Sequence, residues 1–228
     1  RLPQKRDLWI EGDERLLRGG PRVAVIGSRT PTPDQVAMAA ALSTALSDAG
    51  AVICSGGALG VDGVAHRTAL KAGGITALVS PVAPNRVYPA RHEQLFVDVR
   101  ARGVILSPFA PDTPFARSHF RVRNGVLARL VDALIVICAD PRSGSLHCAR
   151  QAWKLGVPVF AVPWTSGSLH AEGTNLLLYA GARAVSTPEQ ASQVVTRLRA
   201  AGGASWLMRD ATPPVGVPPA RKASTGHR

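Results

Sequence analysis

Six short runs of this chain are apolar at nearly every position: Val23 to Ile26, Ala51 to Cys54, Ile75 to Val79, Val104 to Leu106, Ala133 to Cys138 and Val157 to Val162. A strand without a polar face is buried on both sides, which places it in a parallel sheet covered by helices. The stretches between the runs carry helical signals. Thr32-Pro33-Asp34 opens a helix, with proline in the first turn and an acid at the positive end of the dipole. Val36, Ala40, Leu42 and Leu46 then follow near-helical spacing, and Gly50 ends the element. Strands alternating with helices through short loops predict an α/β domain with a doubly wound, mostly parallel sheet.

That pattern covers residues 23–200. Residues 1–22 read as a lead-in, with a strand and turn over 7–21 docked on a sheet edge. Residues 201–228 are basic and proline-rich with no periodic apolar face, the signature of a disordered tail. The 228 residues, 46 % hydrophobic and 18 % charged, suffice to bury a core without covalent staples. The longest wholly apolar run, Ala133 to Ala139, is far short of the ~20 residues of a membrane span. The first residues lack the apolar core of a signal peptide. With only Cys54, Cys138 and Cys148, and no Cys-x-x-Cys pair, a disulfide framework or zinc ribbon is not expected. A reduced, cytoplasmic protein is the expectation, with no membrane partner.

Charge narrows the partners. Lys+Arg 27 against Asp+Glu 15 gives a formal net charge of +12, and only Lys5, Lys71, Lys154 and Lys222 are lysines. Guanidinium groups bind phosphate bidentately and stack on flat rings, which ammonium groups do not. An Arg-biased genome explains such a composition equally well. The distribution is more telling: between 100 and 154, Arg100, Arg102, Arg117, Arg121, Arg123, Arg129, Arg142, Arg150 and Lys154 face only Asp112, Asp132 and Asp140. A nucleic-acid or nucleotide partner is favoured.

Ligands of open parallel sheets bind beyond the carboxyl ends of the strands. Four loops should meet there: Gly27-Ser28-Arg29; Ser55-Gly56-Gly57-Ala58-Leu59-Gly60; Ser107 to His119; and Asp140-Pro141-Arg142-Ser143-Gly144-Ser145. Three of them are small-residue turns entering helices, where free backbone N–H groups form an anion nest. Arg29, Arg117, Arg123 and Arg142 lie in or beside these loops. Each turn alone is structural more often than functional, and neither a dinucleotide fingerprint nor a Walker loop is present.

Val23-Ala-Val-Ile-Gly27-Ser28-Arg29-Thr-Pro-Thr-Pro33, Ser55-Gly-Gly-Ala-Leu-Gly-Val-Asp62-Gly-Val-Ala-His66 and Val87-Tyr88-Pro89 resemble, in order, the first three motifs of the DNA-processing protein A (DprA/Smf) family. Phe120-Arg-Val-Arg123-Asn124, Ser143-Gly144-Ser145-Leu-His-Cys-Ala149, Phe160-Ala-Val-Pro163, Gly173-Thr-Asn175 and Gly181-Ala182 follow. The chain departs from the family pattern at Gly57-Ala58-Leu59 and at Gly125, and it lacks the acid common near the end of the Ala133–Cys138 strand. The resemblance covers about residues 7–190, a Rossmann-like domain, with no match to the helical N-terminal or winged-helix accessory domains of many members.

It implies a recombination mediator of natural transformation that binds and protects incoming single-stranded DNA, helps load the RecA recombinase, dimerises, and has no catalytic turnover or cofactor. The implied DNA site comprises Gly27, Ser28, Arg29, Ser55, Gly56, Gly57, Arg117, Phe120, Arg123, Asn124, Arg142, Ser143, Gly144 and Ser145. The implied dimer interface lies around Asn175 to Gly181, with Leu176, Leu177 and Tyr179 as its apolar contacts.

Other readings stay open. Related phosphoribohydrolase or lysine-decarboxylase-like enzymes, and nucleotide sensors, use this kind of sheet, although the Asp140–Ala149 turn lacks the enzymes' glutamate. Asp62 and His66 share a helix face, which fits a structural ion pair or cap better than catalysis. His92, His119, His147 and His170 show no metal-ligand spacing. Cys54 and Cys138 read as core residues, and Cys148 has no evident activating partner. Trp153 and Trp164 fit packing better than base stacking. Phe120 fits either role until the resemblance favours stacking.

Overall fold

The computed structural model describes residues 8–202; the expected tail therefore falls outside the described residues from 203 onward. Eight strands form one sheet in the order β1-β5-β4-β3-β2-β6-β7-β8. They are β1 (Trp9–Gly12), β2 (Arg22–Ile26), β3 (Val52–Ser55), β4 (Ile75–Val79), β5 (Val104–Ser107), β6 (Ala133–Val136), β7 (Val159–Ala161) and β8 (Arg183–Ala184). All pairings are parallel except β1 on β5, where Trp9 faces Ser107 and Gly12 faces Val104. The doubly wound α/β architecture is thus the observed one.

Seven helices cover the sheet: α1 (Pro33–Asp48), α2 (Val61–Lys71), α3 (Glu93–Arg102), α4 (His119–Leu130), α5 (Gly144–Lys154), α6 (Glu172–Tyr179) and α7 (Pro188–Ala200). Alternate strand residues point to opposite faces. Val23, Val25, Ile53 and Ile135 pack against α1, α2 and α7, while Ala24, Ile26, Leu134 and Val136 pack against α4 and α5. Thr32 caps α1 reciprocally: its Oγ1 accepts from Gln35 N, and Thr32 N donates to Gln35 Oε1 at 3.0 Å. The inward stripe of α1 is Ala39, Leu42, Ala45 and Leu46, so Val36 and Ala40 lie outside it. Sequence spacing had the period right and the phase shifted by one residue at its start.

The strand order reverses at β2, whose neighbours are β3 on one side and β6 on the other. Asp132 holds this junction by accepting from the Arg22 backbone N at 2.9 Å, Nε at 3.1 Å and Nη2 at 2.8 Å. Connections leave β2 and β6 toward opposite faces, so a crevice opens beyond their carboxyl ends.

Candidate nucleic-acid interface

A cleft of about 320 Å³ occupies that crevice. Its walls are the loop after β2 (Gly27 to Thr30), the loop after β6 with the first turn of α5 (Asp140, Ser143, Gly144, Ser145), and one face of α4 (Phe120, Arg123, Asn124, Leu127). Ala58, Asp62 and His170 close it. Short hydrogen bonds hold the loops in register. Ser145 Oγ donates to Gly27 O at 2.9 Å, Val61 N to Ser28 O at 3.1 Å, and Asn124 Nδ2 to Gly144 O at 3.1 Å. Gly27 is required by close approach: a Cβ there would sit 2.7 Å from Val61 Cγ2 and 3.0 Å from Cys138 O. Ser143 caps α5 by accepting from Leu146 N, and the remaining first-turn amides of α5 have no intrahelical acceptors.

Arg29 and Phe120 meet at the mouth. The Arg29 guanidinium carbon lies 5.0 Å from the Phe120 ring centroid, over its face. Phe120 is half-buried as the second residue of α4, directly after the rim loop. Opposite them, His170 ties two loops together. Its Nδ1 is 2.9 Å from both Asp140 carboxylate oxygens, and its Nε2 is 3.1 Å from both Thr30 Oγ1 and Thr30 O.

The structure separates the predicted DNA-site residues into three groups. Gly27, Ser28, Arg29, Phe120, Arg123, Asn124, Ser143, Gly144 and Ser145 line the cleft. Arg117 and Arg142 are exposed and stand outside the lining. Ser55, Gly56 and Gly57 are buried behind it, which corrects the reading of their turn as an open anion nest. That nest is already filled from within the chain. Gly56 N and Ala58 N donate to Asp62 Oδ2 at 3.2 and 3.3 Å, Ser55 Oγ donates to Val25 O at 2.7 Å, and Gly57 O accepts from His92 Nδ1 at 3.0 Å.

Arg123 explains the glycine at 56. Only 5 % exposed, its guanidinium lies over that turn, and a Cβ on Gly56 would fall 1.0 Å from Arg123 Nη1. Its charge faces Asp62, with Nη1 to Oδ2 at 3.8 Å. Burial pushes the Asp62 carboxyl upward and the Arg123 guanidinium downward, and each charge opposes the other's shift. Arg123 therefore forms the inner wall rather than an exposed phosphate contact.

Sequence reading placed Asp62 in an ion pair or cap; its partner is Arg123, whereas His66 turns away into the core. His66 Nδ1–H donates to Thr76 Oγ1 at 2.7 Å, because that hydroxyl already donates to Ile53 O at 2.8 Å. Thr30 and His170 are cleft residues that the sequence did not assign to the site, and Asp140 was read only as the start of a rim loop. Their loops are distant in sequence, and only the β2–β6 junction brings them together. The cleft thus holds two carboxylates, Asp62 and Asp140, although its α5 turn carries no glutamate.

The other candidates resolve plainly. Burial raises Cys54 and Cys148 to about 12 and Cys138 to about 11, so all three are inert thiols at neutral pH. Trp164 Nε1 donates to Ile137 O at 2.6 Å, and Trp153 packs on the α4–α5 core; both are packing residues. In α6, Leu176 and Tyr179 are 45 % and 92 % exposed, but Leu177 is 2 % exposed and belongs to the core. Leu177 is therefore withdrawn from the apolar surface proposed for self-association. Among the described residues, no helix is long and apolar enough to cross a membrane.

Comparison with known proteins agrees with this geometry. The chain is 36 % identical to a putative DNA processing protein DprA of Mycobacterium tuberculosis over 189 residues, covering 82 % of this chain and 49 % of the relative. It thus spans about half the length of that relative. Among solved structures, DprA of Helicobacter pylori, described for its single-stranded DNA binding mode, superposes with a TM-score of 0.77 at 34 % identity, covering 83 % of this chain and 86 % of that one. DprA of Streptococcus pneumoniae gives a TM-score of 0.76 at 32 % identity, covering 80 % and 64 %. The family model of DNA recombination-mediator protein A matches residues 4–196, and the chain belongs to that family, DprA/Smf.

Proposed function

We propose that this protein binds single-stranded DNA in the β2–β6 cleft, without catalytic turnover, as a cytoplasmic mediator of recombination in natural transformation. The observation that carries the reading is the Arg29–Phe120 pair, a guanidinium lying over a flat ring on one cleft wall. A phosphate suits the guanidinium and the first-turn amides of α5, and an unpaired base suits the ring. Duplex DNA hides its base faces, so single strands fit better. The Helicobacter pylori relative, whose structure concerns single-stranded DNA, supports the assignment. Protection of the incoming strand and loading of RecA extend the same proposal.

Binding is expected to be independent of sequence and sensitive to salt, log affinity falling linearly with log salt by about 0.7 per phosphate contact. Phe120→Ala should cost about 1–3 kcal/mol of single-strand binding. Arg29→Ala, and to a lesser degree Arg117→Ala outside the cleft, should weaken binding and reduce the salt slope by about one contact each. Titrations with labelled oligo-dT and duplex, beside a nucleoside-monophosphate hydrolysis assay, test the proposal. Equal affinity for duplex, a flat salt response, or turnover lost on substituting Asp62 would defeat it. Thermal melts are the control: Phe120→Ala with lowered stability and intact affinity would make the ring a packing residue.

Self-association through α6 belongs to the same proposal. Exposed Tyr179 and Leu176 form the apolar patch. Tyr179→Asp should yield monomers of unchanged thermal stability, whereas Leu177→Asp should unfold the chain, since it buries a charge. Sedimentation velocity of Tyr179→Asp at the parental coefficient would remove α6 from the interface.

A further inference from the structure

The Phe120 ring is the inner end of a larger aromatic surface. Tyr88 meets it edge-on at 5.5 Å between centroids, and Phe115 meets it edge-on at 5.8 Å. Phe115 in turn stacks on Tyr88 at 5.3 Å with the planes 18° apart. Farther out, His119 abuts Phe115 at 6.0 Å and stacks on Phe109 at 3.7 Å and 12°. The rings come from two segments, the loop after β4 and the loop between β5 and α4 together with the first turn of α4, pinned to one another. Asn85 Nδ2 donates to Asp112 Oδ1 at 2.8 Å, and His119 Nδ1 donates to Pro81 O at 3.2 Å.

Core packing does not account for Phe115. It remains 41 % exposed although Tyr88 stacks on it and Phe120 and His119 abut it. The two segments, 85–91 and 109–121, also carry Arg86, Arg91, Arg117 and Arg121, all exposed, against one acid, Asp112, whose carboxylate is already engaged. An exposed ring among guanidinium groups, continuous with the cleft through Phe120, matches the chemistry of a polyanion carrying flat bases.

We propose that Phe115, backed by Tyr88, is a second base-stacking platform, which holds the base of a nucleotide outside the cleft and sets the path by which single-stranded DNA leaves it. The proposal rests on the single-strand reading of the cleft. The platform lengthens the occupied site and adds affinity without sequence preference, since every base has a stacking face. Arg117, exposed and outside the cleft lining, acquires a role here as a phosphate contact beside the platform.

The test uses the full chain. Phe115→Ala should weaken oligo-dT binding about tenfold, and Phe115→Trp should restore it, with tryptophan fluorescence quenched on binding. Irradiation of the wild-type complex with a 5-iododeoxyuridine oligonucleotide should cross-link peptides containing Phe115 as well as Phe120. If Phe115→Ala binds like wild type while Arg29→Ala and Phe120→Ala are weakened, the cleft reading stands and the platform is overturned, leaving the patch to a protein partner. Cross-links confined to Phe120 overturn it equally. If wild-type protein fails to bind single strands at all, the underlying reading fails first.

Discussion

Arg123→Leu is expected to lower unfolding stability at pH 7 by about 3–5 kcal/mol, the cost of leaving one member of a buried pair alone. Arg123 and Asp62 are both nearly inaccessible and 3.8 Å apart at their closest charged atoms. Without the guanidinium, the Asp62 carboxylate keeps the Gly56 and Ala58 amides and the Ser55 side chain but no opposite charge beside it, and the space above Gly56 empties. Adding Asp62→Asn should recover much of the loss, because an amide oxygen can still accept from both N–H groups while no charge remains to be solvated. Urea denaturation of the single and double variants measures this coupling. Additive losses would show that the pair contributes nothing jointly. Gly56→Ala should mimic Arg123→Leu, since its methyl group expels the guanidinium.

The second large effect is acid destabilisation through His66. Burial lowers its pKa from 6.5 to about 3, and the neighbouring His92, Arg67 and Arg123 repel a proton further. The unfolded chain therefore binds a proton that the folded chain refuses. The stabilisation is complete above pH 6.5 and is lost as pH falls from 6.5 toward 3, at about 1.4 kcal/mol per pH unit. His92, lowered mainly by burial, adds a contribution of the same sign, while Asp62, raised by burial, opposes both at lower pH. His66→Asn can still donate to Thr76 and does not titrate, so its stability should fall more gently between pH 6.5 and 4. Parallel pH profiles for wild type and variant would rule out His66 as the source.

The strands were legible because they are buried on both faces: an apolar run such as Val23 to Ile26 leaves no polar alternative. The loops Gly27-Ser28-Arg29 and Ser143-Gly144-Ser145 were legible for a related reason, small residues at strand ends that open onto helix starts. The Ser55–Gly57 turn carries the same signature and deceived the reading. Its glycines make room for Arg123, and its amides bind Asp62, contacts set by tertiary packing across α2 and α4. Arg123 itself read as a phosphate contact because it lies in the basic stretch beside the rim loops, and only the helix's orientation turns it inward while Arg121 and Val122 stay exposed. Leu177 sits in a run of three leucines whose buried member spacing alone does not identify. The pairing of Tyr88 with Phe115 joins loops that sequence distance keeps apart.

The position of β2 at the middle of the sheet bears on how the chain is made. One edge of β2 pairs with β3, which follows within about thirty residues, but the other waits for β6, where Val23 meets Ala133. At ribosomal speeds of about 5–20 residues per second, that wait lasts on the order of 5–20 s. Throughout it, an apolar strand edge stands without its partner, and loop closure over such a distance adds an entropic cost. The interval of synthesis before β6 emerges, more than any moment of the folded protein's life, is when this chain is open to aggregation and would be served by a chaperone.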